Sequence, residues 1–408
     1  MIYKPMRVSA LFFFLLSVWI NAWTQNYVLS GTVVNERTGE RVPQASVVAD
    51  NHGVAVVTNE DGFFTLKTDA PTSTVTVSHL GFQSQKIKIK GKAADNITIR
   101  LKPKTITLQE VVVWTDDPRE LVQTAISKIK DNYSQQPQLY KCFYRETAKK
   151  RQRYIYVAEG VVDMYKTVYG RSSGRDRVAI VKGRRLVSPK QSDTLSVKVV
   201  GGPVQPIQLD IAKNLDFLLN AEELDCYDLT MEMGTTINDR LQYVVSLSPR
   251  VEKPYAQYNG LLYIDRETLA FTRAELSLDM SSREKATAYM LRHKPKGVRF
   301  RPKELTTLID YRYEDGVTHI SYIRNTFRFN CDWRRRLFAT SFTASCELVV
   351  TERDSTDVHP ISGRASFDSR DAFYDRVDYF RDPVFWKDYN IIEPSESLDR
   401  AIGKLLKR

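Results

Sequence analysis

Cysteine, histidine and glycine are scarce in this 408-residue chain, with four, five and eighteen residues. The four cysteines, Cys142, Cys226, Cys331 and Cys346, are too scattered for a small disulfide scaffold. No Cys-x-x-Cys spacing occurs, so a thioredoxin-type redox motif and a ribbon-type zinc site are excluded. The histidines are His52, His79, His293, His319 and His359; none is followed by Glu at the third position, and His-Glu-x-x-His is missing. A zinc peptidase needs such spacing, because three ligands must leave an open metal position. Gly-x-Ser-x-Gly, a Walker-type loop and Gly-x-Gly-x-x-Gly are also missing. Ser127–Lys130 and Ser282–Lys285 match Ser-x-x-Lys, but no Lys-Thr-Gly accompanies them. The sequence therefore points to no cofactor, no metal and no catalytic constellation. A site of scattered carboxylates stays open, since 49 Asp and Glu always offer a close pair after folding.

What is present describes a folded, sheet-rich protein. Apolar residues make up 42% and charged residues 27%, which is globular composition. Tyr (21) and Phe (18) are abundant and favour strands. At the amino end, Lys4 and Arg7 precede an apolar run from Val8 to Ile20, interrupted only by Ser9 and Ser17. That run is shorter than the ~20 residues a spanning helix needs. Ala22 and Thr24 are small residues placed for signal peptidase, so residues 1–24 read as a cleaved secretory signal, with a membrane anchor as the alternative. No Cys follows for lipid attachment, and no later stretch is apolar enough to span as a helix. Cleavage would leave 58 basic against 49 acidic residues.

Residues 27–102 alternate apolar and polar positions in about seven short segments separated by turns such as Thr38-Gly39 and Asn59-Glu60-Asp61-Gly62. This is the pattern of a β-sandwich, with Gly39 and Gly62 at positions needing φ > 0. Gly31-Thr32-Val33, Val42-Pro43-Gln44-Ala45-Ser46-Val47, Thr58-Asn59-Glu60-Asp61-Gly62-Phe63-Phe64 and Ser78-His79-Leu80-Gly81-Phe82 resemble the carboxypeptidase-regulatory-like domain. The resemblance implies a prealbumin-like sandwich, common at the amino end of Gram-negative envelope proteins and accessory rather than catalytic in metallocarboxypeptidases. Ile106–Val113 looks like the stretch that follows this domain in TonB-dependent transporters. A transporter's plug and barrel of about 22 strands do not fit in what remains of the chain, so 103–116 is expected to be a linker.

From residue 117 to 408 the pattern predicts a larger α+β domain: a helix, an extensive antiparallel sheet and a C-terminal helix. Asp117 caps the first helix, with Pro118 in its first turn and Leu121, Val122, Ala125, Ile126 and Ile129 on one face. Strands are expected at Leu139–Glu146, Tyr154–Tyr169, Arg177–Val187, Tyr227–Met233, Leu241–Ser248, Tyr258–Asp265, Leu269–Met280, Thr287–Arg292, Arg299–Tyr313, Thr318–Phe329 and Leu337–Thr351. A short helix is expected over Ile207–Leu219 and an amphipathic one over Ser395–Lys407. Gly260–Phe271 resembles the strand-turn-strand of periplasmic half-barrels that carry lipoproteins. Tyr140–Arg145 and the helix before it resemble the periplasmic part of larger outer-membrane proteins that begin with the same sandwich.

The basic excess is uneven. Between Lys149 and Arg185 there are eleven Lys or Arg against Glu159, Asp163 and Asp176. An exported protein does not meet nucleic acid, so the anions in reach are phosphates of lipopolysaccharide, acidic glycans and lipid headgroups. Lys149, Lys150, Arg151, Arg153, Arg184 and Arg185 are the candidate anion-binding residues. Regular alternation along the strand would place Tyr154 and Tyr156 on one face beside them. The alternative is a solvated face of a long hairpin. Taken together, the sequence predicts a mainly β, non-catalytic binding or scaffolding module of the periplasm or outer membrane, with an outer-membrane protein, a glycan or a lipid as partner. An envelope hydrolase and a lipid or lipoprotein carrier are the alternatives.

Overall fold

The computed structural model describes residues 27–406, apart from 51–52, 90–92, 105–116, 171–172, 191–192, 194–199, 292–296, 334–338, 357 and 380–384. The apolar leader and the Ile106–Val113 stretch lie outside the described residues. Seven strands make the amino-terminal sandwich: β1 (Tyr27–Asn35), β2 (Ser46–Ala49), β3 (Ala55–Val57), β4 (Phe63–Thr68), β5 (Thr74–Ser78), β6 (Gln85–Lys88) and β7 (Ala93–Leu101). They form sheets ordered β4-β1-β7 and β3-β2-β5-β6. Alternation puts Leu29 and Val33 of β1 and Phe64 and Leu66 of β4 inside, against Val47, Val75 and Val77 of the facing sheet. Gly39 and Gly62 take φ of 73° and 70°, as their turns require. β7 runs parallel to β1, a pairing that strand patterning does not reveal.

Among the described residues the second unit is one open sheet of eleven strands. In chain order they are β8 (Gln138–Lys150), β9 (Arg153–Lys166), β10 (Arg177–Val187), β11 (Tyr227–Ile237), β12 (Arg240–Pro249), β13 (Tyr258–Asp265), β14 (Phe271–Leu278), β15 (Val298–Glu314), β16 (Val317–Trp333), β17 (Thr340–Asp354) and β18 (Asp378–Tyr379). The sheet order is β11-β12-β13-β14-β15-β16-β17-β8-β9-β10-β18. All neighbours are antiparallel except β10 and β18. The helices are α1 (Pro118–Ser127), α2 (Ile129–Asn132), α3 (Gln205–Leu209), α4 (Ala221–Leu224), α5 (Arg283–Met290) and α6 (Glu396–Leu406). None is long and apolar enough to cross a membrane.

The two faces of the sheet are covered differently. One face, here the inner face, carries α1, α2 and the 202–226 segment, whose Leu121, Val122, Ile129, Ile207, Ile211 and Leu219 pack on Tyr140, Tyr144, Val162, Ile264 and Ile309 of the strands. Asp117 caps α1 by accepting from the Arg119 N–H at 2.8 Å. Gly160 and Gly183 pair directly across β9 and β10. A Cβ on the first would meet Phe373 at 2.6 Å, and on the second Val377 at 2.4 Å, so only bare backbone lets the 373–377 segment lie against this edge.

The outer face carries the sandwich and the C-terminal segment. Val57 of β3 joins Phe143, Val161, Tyr322, Val349, Trp386 and Ile392 in one apolar cluster. Asn390 imitates a backbone group: its carbonyl oxygen accepts from Lys67 N–H and its amide donates to Lys67 O, both at 2.8 Å. The Lys67 ammonium caps the carbonyls of Trp386 (2.9 Å) and Tyr389 (2.8 Å). α6 then lies on β9 and β10 through Leu398, Ile402 and Leu405.

Two sequence expectations fail here. The strand expected over Thr287–Arg292 is not found in its described part: Thr287–Met290 end α5, which Ser282 starts by accepting from Lys285 N–H at 3.4 Å, and Arg292 lies outside the described residues. Ile207–Leu219 is not one helix. The chain leaves α3 at Asp210, which is extended at ψ 96°. Its carboxylate is drawn into the sheet by Tyr169 (2.9 Å), Tyr311 (2.7 Å) and the buried Lys166. A buried charge with three donors outweighs local helix propensity, which is worth only tenths of a kcal/mol per residue.

Candidate functional site: the polar outer face

Buried inner residues alternate with half-exposed or exposed outer ones along Glu146–Lys149 of β8, Ala274–Leu278 of β14, Leu305–Ile309 of β15, Ile323–Thr326 of β16 and Phe342–Leu348 of β17. Register aligns the outer residues into rows. Thr147 lies opposite Ser345, Ser345 opposite Thr326, Thr326 opposite Thr306, and Thr306 opposite Ser277, which faces Asn259. The result is an uninterrupted row of hydroxyls ending in an amide. At ~4.8 Å between strands, the row spans roughly 24 Å.

Rows containing both cations and carboxylates flank it. Lys149, Thr343, Arg328 and Glu304 form the next row on one side, and Arg145, Glu347, Arg324, Leu308 and Glu275 on the other. Arg328 is 58% exposed and meets Glu304 at 3.2 Å. Arg324 reaches Glu60 of the sandwich at 3.3 Å. At the β8 end the sandwich and the C-terminal segment roof the row, closing a cleft of about 170 Å³ lined by Asn59, Arg145, Thr147, Arg324, Ser345 and Glu393. Towards β14 the cleft opens into a shallow trough of about 570 Å³ over Ser277, Thr306 and Thr326.

The floor of the cleft is fixed by a buried ion network. Arg145 donates to Glu159 at 2.8 Å and to the Ile392 carbonyl at 2.6 Å, and lies 3.4 Å from Glu347. Arg184 holds the other oxygen of Glu159 at 2.9 Å, which Trp386 Nε1–H also approaches at 3.3 Å. Burial alone would raise the Glu159 carboxyl; the two guanidiniums reverse this and hold it below its usual range.

The candidate anion-binding residues from the sequence do not gather in one open patch. Lys149 lines the cleft, its ammonium 4.3 Å from the centroid of the Tyr154 ring. Lys150 (3.3 Å) and Arg153 (2.6 Å) converge on the buried Asp193 instead. Their hydrogen bonds, that from Arg153 first, hold its carboxyl far below the usual range. Arg151 sits in the β8–β9 turn at φ 57°, exposed, its N–H bonded to Ser341 O at 2.8 Å. Arg184 is in the ion network, and Arg185 donates to the Tyr374 carbonyl at 2.7 Å. Tyr154 and Tyr156 do not share a face. The register slips between Ala148 and Lys149, leaving Ile155 as a bulge. Tyr154 then packs with α6 while Tyr156 donates to Glu146 inside. One extra residue reverses the alternation. No sequence signal marks the hydroxyl row, because each member is a single small residue in its own strand, and only register aligns them.

All four cysteines are free and buried. Among the described residues no group of three or more His, Cys, Asp or Glu is placed to hold a metal ion.

Residues 29–113 match the sequence model of the CarboxypepD_reg-like domain. None of the curated proteins matches the chain. Solved structures similar to it include a DUF1329 family protein from Desulfovibrio piger (11% identity, 60% of this chain and 95% of that one, TM-score 0.25). A putative outer membrane lipoprotein-sorting protein domain from Vibrio parahaemolyticus is similar too (11% identity, 59% and 94%, TM-score 0.26). So is MucB in its complex with MucA (12% identity, 59% and 100%, TM-score 0.17).

Proposed function

We propose that this is an exported, non-catalytic binding module of the cell envelope, and that its ligand is an envelope glycan laid across the outer face of the eleven-stranded sheet. The observation that carries this reading is the hydroxyl row Thr147-Ser345-Thr326-Thr306-Ser277. Serine and threonine hydroxyls both donate and accept, as sugar hydroxyls do, and strands hold them in a fixed line. Lys149 and Arg328 beside the row match acidic substituents on such a polymer. The roof over the β8 end favours a chain end or branch there, and the open trough favours a continuing chain. The carrier reading gains less support, because the inner face is packed with the chain's own Leu121, Ile207, Ile211 and Leu219. The regulatory-like sandwich fits an accessory role, as a wall of the cleft through Gln44, Asn59 and Glu60.

The test is a binding titration of isolated lipopolysaccharide polysaccharide and peptidoglycan fragments onto the full chain and onto a Thr306→Val, Thr326→Val, Ser345→Ala variant. These substitutions keep volume and remove only the hydroxyls. Binding of one polysaccharide to the parent protein, reduced at least tenfold in the variant with an unchanged melting temperature, is the expected result. Equal binding by both proteins, or co-purified lipid in place of glycan binding, would overturn the proposal.

A further inference from the structure

A second, smaller site lies between the sandwich and the sheet. A cavity of about 50 Å³ is lined by Ser46 and Ser78 of the sandwich and by Arg273, Arg312 and Ser321 of the sheet, with His79 at its wall. One water needs only ~15 Å³, so the space suits a small oxyanion or a few waters. Its charged groups are not equally engaged. Arg273 is spent on Glu275 (2.7 Å) and Asp310 (2.9 Å). Arg312 is held more loosely: it is 7% exposed, its Nη2 is ion-paired with Glu314 at 3.6 Å, and its Nε and Nη2 have no hydrogen-bond acceptor among the described residues.

The 3.6 Å separation of Glu314 from Nη2 is beyond hydrogen-bonding range, and the carboxylate that lines the cavity, Asp310, is taken up by Arg273. Glu314 is itself committed to His319 Nε2 at 3.0 Å. A buried guanidinium with two idle donors is costly unless something accepts from it. His79 does not supply a competing charge: burial, then Arg273, holds its imidazole down to about 4, so it is neutral at pH 7. The neighbouring hydroxyls of Ser46 and Ser78 complete a set of donors around the cavity.

We infer that this cavity is a binding site for one small oxyanion, a carboxylate or phosphate group, held by the Arg312 guanidinium and the sandwich hydroxyls. The site is distinct from the hydroxyl row and does not depend on the glycan reading. Because its donors come from both units, the bound anion ties the sandwich to the sheet.

The experiment is thermal unfolding of the full chain in rising inorganic phosphate, in sodium acetate, and in sodium chloride at matched ionic strength, repeated with Arg312→Met. A saturable rise of about 3 °C by 20 mM phosphate or acetate over chloride is expected in the parent protein. It should be lost in Arg312→Met. The phosphate and acetate arms tell a phosphate site from a carboxylate site. Should Arg312→Met not fold, Ser46→Ala and Ser78→Ala together keep the charge and should at least halve the shift. No rise over chloride in either salt, or a full rise in the variants, would overturn the inference.

Discussion

Glu146 offers the sharpest test of how this sheet is built. It sits on β8 among inner-face aromatics, 1% exposed. Tyr144 donates to one carboxylate oxygen at 2.7 Å and Tyr156 to the other. Burial pushes its carboxyl up to about 7, and the two hydroxyls offset only part of that rise. Its ordinary value is 4.5, so the folded protein binds an extra proton between pH 4.5 and 7. The stability difference therefore runs against the usual carboxylate direction: stability falls as pH rises through this window. At pH 8 the ionised Glu146 costs up to about 3 kcal/mol. Glu146→Gln keeps the shape of the protonated acid, with one acceptor oxygen and one donor group, and cannot ionise. Urea unfolding of both proteins at pH 5 and pH 8 isolates the effect, since every other titrating group is common to the pair. The advantage of the glutamine variant should grow by about 2.5 kcal/mol from pH 5 to pH 8. A constant difference between the two pH values would refute the buried-acid argument.

Three further outcomes follow from the packing. Arg145→Met removes the partner shared by Glu159, Glu347 and the Ile392 carbonyl; it should cost about 3–5 kcal/mol in chemical denaturation and speed amide exchange around Ile392. Ile402→Ala should cost about 2–3 kcal/mol by unpacking α6 from Tyr154, Val157 and Leu186, whereas the exposed Lys404→Ala on the same helix should change stability by less than about 0.5 kcal/mol. The four cysteines should resist alkylation in the native protein, and all four should alkylate once the chain is denatured without reductant; fewer than four would mean a disulfide.

The parts of the fold legible in the sequence are those set by local alternation. The sandwich strands and most strands of the large sheet announce themselves because one face is dry and the other wet, as in Leu305, Thr307 and Ile309 against Glu304, Thr306 and Leu308. Thr287–Met290 misleads, because a β-branched residue, an alanine and a tyrosine imitate a strand. The Ser282 cap was the available signal for helix, with Ala286 buried beneath it. The break at Asp210 is not legible, since Lys166, Tyr169 and Tyr311 reach it from 41 to 101 residues away in sequence.

The same distinction governs the functional face. Counting charges along the chain finds the basic stretch from Lys149 to Arg185, but a count takes no account of partners brought by folding. Asp193, outside that stretch, takes up both Lys150 and Arg153, and the C-terminal residues around Trp386 and Tyr374 take up Arg184 and Arg185. The reverse holds for the hydroxyl row. No single strand contains more than one of its members, so no motif marks it. It exists because antiparallel register brings position 147 beside 345, 326, 306 and 277. A one-residue slip in any of these strands would turn its hydroxyl inward and an inner-face residue outward. The packed inner face forbids that slip. The core that makes the sheet stable is thus also what holds its polar face in line, and a register shift would lose both together.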